Sequence, residues 1–595
     1  MPSYTAPLRD MRFVMFELLG AEAELQALPQ HAGLDRETMD AVLEEGARFA
    51  SQVAFPLNQI GDEVGCTFHA DGSVTTAPGF KEAYRQFGEA GWPALSCDPD
   101  FGGQGLPVLL NNRLYEMLNS ANQAWLMYSG LSHSAYECLM AFGTPEQKRI
   151  YLPKLVSGQW SGTMCLTESH CGTDLGLLKT RAEATGDGSF ALTGTKIFIS
   201  AGEHDCSENI LHLVLARLPD APAGVRGISL FLVPKFLPDA NGEVGERNTI
   251  KAGSIEHKMG IHGNATCVMN LDGARGWLIG EPHKGLAAMF VMMNSARLGV
   301  GMQSLGLAEV SLQNAVAYAR DRIQGRSASG VKQADKAADP IIVHPDVRRM
   351  LLTCKAYTEA GRALTTLTAL LNDRMDGHPD AVVRTDAEGL IAFLTPVIKA
   401  FITDNTHITT NLALQVYGGH GFIREWGMEQ YVRDARINMI YEGTNGIQAL
   451  DLLGRKVLHD QGAQLHKFVA MVREFVAGES GHAQMQEFLP ALSELSDAIL
   501  KLSAEIATKA AGNADEIGAA STPYLRLVGH LTYAWLWARM ARIALDHAAS
   551  GDAFYQGKLA TARFYFSQLL PETAGLLVSV RAGAEPLMAL DASAF

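Results

Sequence analysis

Four short stretches hold residues whose types and spacing could do chemistry. Residues 164–174, Met-Cys-Leu-Thr-Glu-Ser-His-Cys-Gly-Thr-Asp, crowd two hydroxyls (Thr167, Thr173), a glycine (Gly172) and Asp174 into one turn. Such a turn offers donors to the rim of a polar ligand, or is a strand ending in an Asx turn. Residues 196–202, Lys-Ile-Phe-Ile-Ser-Ala-Gly, alternate bulk and lead to Ser200, so a side chain could lie against a flat ring beside one hydroxyl. An ordinary β-strand has the same pattern. In 415–448, glycines at 418, 419 and 421 permit close backbone approach to a ligand, and Tyr441-Glu442-Gly443-Thr444 sets a carboxylate in a short loop. Facing an apolar cavity, that glutamate would have a raised pKa and serve as a base near neutral pH; facing water it is only solvated. Finally, Arg322 ends a helical stretch before Gly325. It could clamp a diphosphate through paired N–H groups or merely complement a helix C-terminus. His420 reads as structural, and no metal ligand set is evident.

The elements that must position these residues follow from periodicity. Residues 1–160 read as helical, with Leu43, Ala47 and Ala50 at amphipathic spacing and a second helical run over 111–143. Residues 161–282 read as β: two strands flank a Gly186-Asp187-Gly188-Ser189 turn, and 210–217 and 227–235 are short β-rich runs. Helix returns over 283–458, where Leu305, Ala308, Leu312, Ala315 and Ala319 share a face and no proline falls between Pro282 and Pro340. The polar stretch 325–340 reads as a loop. Residues 459–595 form a further helical block, with Thr522-Pro523 predicted as a helix start.

Composition excludes several classes. The 595 residues carry 49 Lys and Arg against 64 Asp and Glu, a net charge of −15, so polyanion binding is not the main business of the chain. With 47% hydrophobic and 19% charged residues the chain is neither disordered nor fibrous. The 8 cysteines include no C-x-x-C pair and suggest a reduced, cytoplasmic setting. Charged residues interrupt the apolar N-terminus, and the uncharged stretch 405–423 is polar, so neither a signal peptide nor a membrane span is expected. No G-x-G-x-x-G follows a strand and opens a helix, which argues against a Rossmann site.

Taken together, in this order, the four stretches resemble the acyl-CoA dehydrogenase family. Thr167 to Asp174 is similar to the family's Thr-Glu-Pro-x-x-Gly-Ser-Asp, and Phe198-Ile199-Ser200 to its Trp-Ile-Thr flavin strand. Tyr318 to Arg322 matches Tyr-Ala-x-x-Arg, Gln415 to Gly419 matches Gln-x-x-Gly-Gly, and Arg433-Asp434-Ala435 precedes Tyr441 to Thr444 as in the family. The sequence departs from the pattern at Ser169, His170 and Cys171 and at Gln324-Gly325-Arg326. The resemblance covers about residues 40–455; the added N-terminal segment and C-terminal block look like the long members, especially the branch acting on 3-methylmercaptopropionyl-CoA, whose N-termini share the style of 4–13.

The resemblance implies a mainly α fold with a central β domain: a helical N-domain, a β-barrel middle domain, a C-terminal four-helix bundle and an extra helical domain. It implies FAD-dependent α,β-dehydrogenation of an acyl-CoA, either 3-methylmercaptopropionyl-CoA or a fatty acyl-CoA, with electrons leaving to electron-transfer flavoprotein. Glu442 would be the base, reinforced by Ala296 at the position where some members carry it instead, with Glu168 as the next candidate. Met164, Leu166, Thr167, Gly172, Thr173, Phe198, Ile199, Ser200, Arg322, Gln415, Gly418, Gly419, Thr444 and Asn445 would bind FAD. Thr173, Asn294, Arg297 and Gly443 would meet substrate. Arg322 and Gln415–Gly419 would reach FAD in a neighbouring subunit, so a homo-oligomer, a dimer, is expected. An acyl-CoA oxidase, an inactive scaffold and a nucleic-acid-binding flavoprotein are the alternatives. The last conflicts with 461–595, which holds ten Lys and Arg against thirteen Asp and Glu.

Overall fold

The computed structural model describes residues 2–595, which form two compact units: one of residues 45–299, the other of residues 2–44 with 300–595. Helix α1 (Leu8–Arg12) opens the chain; on α2 (Arg36–Phe49) Leu43 is buried and Ala47 half-buried, and Ala50, also buried, begins the π-helical turn that follows.

The 45–299 unit begins with α3 (Phe80–Glu89), α4 (Val108–Phe142) and α5 (Pro145–Val156). Helix α4 is two helices merged across a kink. At Asn122 the backbone leaves helical geometry (φ −163°, ψ 89°), and the Asn122 side chain caps the second half by accepting from the Trp125 N–H at 3.0 Å. The strands follow: β1 (Trp160–Cys165), β2 (Arg181–Ala184), β3 (Phe190–Ser200), β4 (Asn209–Arg217), β5 (Ile228–Pro234), β6 (Ile250–Ile255) and β7 (Thr266–Ile279). They pair in the order β6-β7-β3-β2-β4-β1, and β5 pairs with both β7 and β4, which closes a barrel-like ring. The turn of 186–189 is a tight β2–β3 hairpin, with both glycines left-handed and Asp187 accepting from Ser189. The apolar core of one side of the sheet continues into α4, α5 and the start of α6 (Gly285–Asp321), through Cys138, Leu152, Leu213, Met289 and Met292.

In the other unit, α6 continues from 300 with Leu305, Ala308, Leu312, Ala315 and Ala319 all buried. This helix is long and apolar enough to cross a membrane by length and composition, but its apolar face is used inside the bundle. Helix α7 (Pro345–Gly377) packs against α8 (Ala381–Pro396) and α9 (Ile402–Val416), and α10 (Met428–Asn438) packs on α9. The loop before α7 is organised by Asp339, which accepts from the N–H groups of Ser327, Lys332 and Gln333 and pairs with Arg326.

Past α11 (Asn445–Leu450), the C-terminal block consists mainly of α12 (Ala463–Glu479), α13 (Leu489–Ala510), α14 (Asp515–Asp546) and α15 (Ala553–Phe564). Helix α14 corrects the predicted start at Thr522-Pro523. It begins with Asp515 and Glu516 in its first turn, where acidic groups favour a helix N-terminus, and Pro523 lies inside it. The N-terminal segment belongs to this unit: Phe13 packs edge-on to Phe554 at 5.3 Å, and Arg9 donates to Tyr555 at 3.0 Å. Beneath these contacts lies a buried charge cluster. Asp10 pairs with Arg362 and Lys558, Arg362 with Glu309 at 2.5 Å, Lys558 with Glu359 at 2.8 Å, and Glu359 with Lys355.

Candidate active site

The predicted site residues fall into two groups, one in each unit. In the 45–299 unit, β1 ends at Cys165 and the chain turns through Leu166–Asp174. The turn closes on itself through a Glu168–Cys171 bridge, with N–H to O distances of 2.9 and 3.1 Å. Asp174 accepts from the Gly176 N–H at 3.0 Å and caps the short helix Leu175–Leu177. Arg217 donates to the carbonyls of Gly176, Leu178, Pro222 and Gly224, holding this loop to its neighbour. Gly172 and Thr173 are left exposed, and Thr167 is half-buried.

Strand β3 passes alongside that turn, the Ile197 N–H donating to the Thr167 carbonyl at 2.9 Å. Its pairing with β7 slips here: Lys196 faces Met269 and Ile199 faces Cys267, so two residues on β3 oppose one on β7. This is a β-bulge. Phe198 takes a left-handed backbone (φ 59°) and is 60% exposed, while Ile199 is buried. A bulky side chain held in that region is strained, and such strain concentrates at functional positions. Ser200 is half-buried. Met164 and Leu166, with Met140 and Met293, lie partly exposed along the edge of the apolar cluster. On α6, Arg297 donates to the exposed Asn294 at 3.1 Å, and Ala296 is buried.

One expectation is corrected. Glu168 is not a second candidate base: its side chain is 5% exposed, and Lys196, Thr180 and the Lys179 N–H all donate to it. Burial alone would raise its pKa, but the Lys196 charge and these hydrogen bonds win and hold it at about 2.

In the other unit, Glu442 sits in a left-handed conformation (φ 58°) within a turn that is braced from several sides. Tyr441 donates to Gln303 and, at 2.9 Å, to Asn438; Gln448 donates to the Glu442 carbonyl at 3.2 Å. Asn445 accepts from Lys399 at 2.9 Å and donates to Thr403 and Asp404 at 2.9 and 2.6 Å, so its side chain anchors the turn to the N-terminal end of α9. Thr444 is exposed and Gly443 is left-handed.

The glycine run lies at the opposite end of α9. Gly418 has φ 58°, which favours glycine, and a Cβ on Gly421 would come within 2.3 Å of the Leu414 carbonyl. Gly419 is exposed, with open space where a side chain would stand, and Gln415 is exposed beside it. His420 is structural as expected: it shares a 2.9 Å hydrogen bond with Tyr318 and stacks on Trp426 at 4.3 Å. Tyr318 also stacks on Tyr417 at 4.0 Å, so the end of α6 leading to the exposed Arg322 is tied to the glycine run. From Asp404 to Gln415, α9 rises about 16 Å at 1.5 Å per residue. The glycine run and the Glu442 turn are therefore separate in one copy.

The order of domains has a counterpart among known proteins. Residues 71–159, 163–274 and 283–458 match the N-terminal, middle and C-terminal domains of acyl-CoA dehydrogenase, and 468–591 match the domain described as acetyl-CoA dehydrogenase C-terminal like. The chain belongs to the acyl-CoA dehydrogenase family. It is 43% identical to the 3-methylmercaptopropionyl-CoA dehydrogenase of Ruegeria pomeroyi, over 96% of each chain. It is 35% identical to a broad-specificity linear acyl-CoA dehydrogenase of Mycobacterium tuberculosis, over the full length of both. Two solved structures share the fold: Caenorhabditis elegans ACDH-11 in complex with C11-CoA (TM-score 0.77, 18% identity, 98% of this chain and 95% of that one) and an acyl-CoA dehydrogenase complexed with FAD from Bacillus anthracis (TM-score 0.73, 21% identity, 93% and 90%).

As an acyl-CoA dehydrogenase the chain is an oxidoreductase, and its residues fit a flavin. Phe198 offers an exposed flat face two residues before the half-buried Ser200, Gly419 has open space where a side chain would stand, and Arg322 is exposed. Sequence reasoning did not single out Lys196 or Arg217. A lysine in an alternating strand and an arginine at a strand end carry no local signal, since their partners are distant in sequence.

Proposed function

We propose that this chain uses FAD to dehydrogenate an acyl-CoA thioester across its α and β carbons, with Glu442 as the base. The supporting observation is the Glu442 turn itself: a carboxylate on a left-handed residue whose neighbours in the turn, Tyr441 and Asn445, are fixed by the buried Asn438 and Thr403, while Ala296 can supply no base. FAD, when bound, supplies the acceptor for the β hydrogen. Glu442 takes the α proton, and its backbone N–H donates to the thioester oxygen, where enolate-like charge gathers; one such donor is worth about 3 kcal/mol. Thr167 and Ser200 would hold the flavin through their hydroxyls, and Phe198 would offer its exposed face to the ring. Arg297, Asn294 and Thr173 face the substrate.

Arg322 and Gln415–Gly419 hold the diphosphate half of a neighbouring copy's cofactor, making the enzyme a homodimer. The exposure of Arg322, Gln415, Gly418 and Gly419, which leaves this group open to a neighbouring copy, supports that reading. We infer 3-methylmercaptopropionyl-CoA as the first substrate to try. The partly exposed methionines 140, 164 and 293 suit a thioether, because sulfur packs adaptably and polarizably. Electrons pass to electron-transfer flavoprotein, in the cytoplasm. The test is a panel of acyl-CoAs with purified yellow protein and a dye acceptor, with oxygen uptake followed in parallel. FAD should be released on denaturation, and turnover should depend on the dye. Release of FMN, or turnover that only consumes oxygen, would overturn the assignment.

A further inference from the structure

The turn after β1 and the bulge in β3 are far apart in sequence, yet one buried ion pair holds both. Lys196 has no exposed side-chain surface and lies two residues before Phe198. Its ammonium donates to the Leu166 carbonyl at 3.0 Å and to Glu168 at 2.9 Å. It thus grips the chain on either side of Thr167, whose own carbonyl accepts from the Ile197 N–H. Glu168 carries the tie to a third segment. One oxygen accepts from the Lys179 N–H at 2.7 Å, the other from the Thr180 N–H and hydroxyl at 3.0 and 2.6 Å, at the start of β2.

We propose that Lys196 and Glu168 are positioning residues that fix Thr167 against the bulged segment Phe198–Ser200, so that the platform for the flavin ring is formed before the ring arrives. The proposal rests on the flavin reading above. A buried ion pair is a poor choice for stability alone, since well-packed apolar residues often do as well. What it adds is geometry. The ammonium meets two acceptors, the Leu166 carbonyl and the Glu168 carboxylate, on either side of Thr167, and the left-handed residues Phe198 and Ala201 need surroundings that leave them no alternative. The Lys196 charge and these hydrogen bonds hold Glu168 at about 2, so it is ionised near neutral pH, while burial draws the Lys196 ammonium below its ordinary value against the pull of Glu168. Side chains that touch a ligand gain from being locked in this way by a supporting layer.

The test uses the full chain stripped of flavin and retitrated with FAD. Lys196→Met and Glu168→Gln should each raise the Kd for FAD about tenfold to a hundredfold, the range that one charge-assisted hydrogen bond corresponds to. The visible absorption and circular dichroism of the bound flavin should also move towards those of free FAD. Lys196→Met should lower the Tm of the apoprotein, because it strands a buried carboxylate. The double variant, with both charges gone, should regain most of that Tm while FAD binding stays weak and the spectrum stays shifted. A pair that merely braces the core predicts otherwise: flavin affinity and spectrum would match wild type in the single variants, or return with the Tm in the double. Either result overturns the proposal. If Lys196→Met does not fold, Glu168→Gln and Thr180→Val carry the same comparison. Wild-type protein that takes up no FAD would overturn the flavin reading and the proposal with it; normal wild-type uptake beside unaffected variants overturns the proposal alone.

Discussion

Replacing Asp10 with asparagine keeps its shape and removes one charge from a cluster that is neutral as it stands. Asp10, Glu309 and Glu359 balance Arg362, Lys355 and Lys558, and the side chains of Arg362 and Lys558 are 1% exposed. Removing one partner of a buried pair costs about 3–5 kcal/mol. The lower end applies here, because Arg362 keeps Glu309 and Lys558 keeps Glu359. About 3 kcal/mol in a unit this large corresponds to a drop of about 4 °C in its Tm. Adding Lys558→Met restores neutrality and should recover most of the loss. Thermal denaturation followed by circular dichroism, with all three variants at neutral pH, measures this. An Asp10→Asn protein within about 1 kcal/mol of wild type would refute the reasoning, as would a double variant whose loss equals the sum of the two singles.

Arg322→Ala should lower FAD occupancy and weaken the dimer together, read from flavin content and sedimentation; full flavin content with unchanged sedimentation would break the proposed link between them. Asp10, whose burial is outweighed by Lys558 and Arg362, and Glu168, whose burial is outweighed by Lys196, both titrate below the usual carboxylate range in the folded protein. Their contribution to stability is present above the unfolded values near 4–4.5 and lost as pH falls towards the folded ones. Acid unfolding should therefore steepen below about pH 4.5, and Glu168→Gln, which has no proton to take up there, should lose stability less steeply.

The elements that positioned the site were readable where local chemistry decides. Gly186-Asp187-Gly188-Ser189 can hardly be anything but a hairpin turn, and the small and apolar residues from Leu305 to Ala319 have only one face to bury. Pro523 misled because an N-cap pair is a local signal, while α14 is held through its middle by contacts such as Trp537 donating to the Ala356 carbonyl at 3.1 Å. The kink at Asn122 went unread, since an asparagine within apolar spacing does not announce non-helical backbone. In the site, residue identity revealed the turn, the strand and the glycine run through their joint order. Glu168 was misjudged because its neutralising Lys196 lies 28 residues away. Asp10 likewise gains its meaning from Arg362 and Lys558, hundreds of residues downstream.

The central claim is that Glu442 removes the α proton, and stopped-flow reduction of the Glu442→Gln variant tests it most directly. The substitution keeps volume and hydrogen-bonding shape but removes the basic charge, so flavin content and acyl-CoA binding should match wild type. A positioned base supplies about 10²–10⁴-fold. Flavin bleaching on mixing with the acyl-CoA that wild type turns over best should slow by at least that factor. Near-normal bleaching in the variant, with ligand binding intact, would contradict the account and move the base elsewhere.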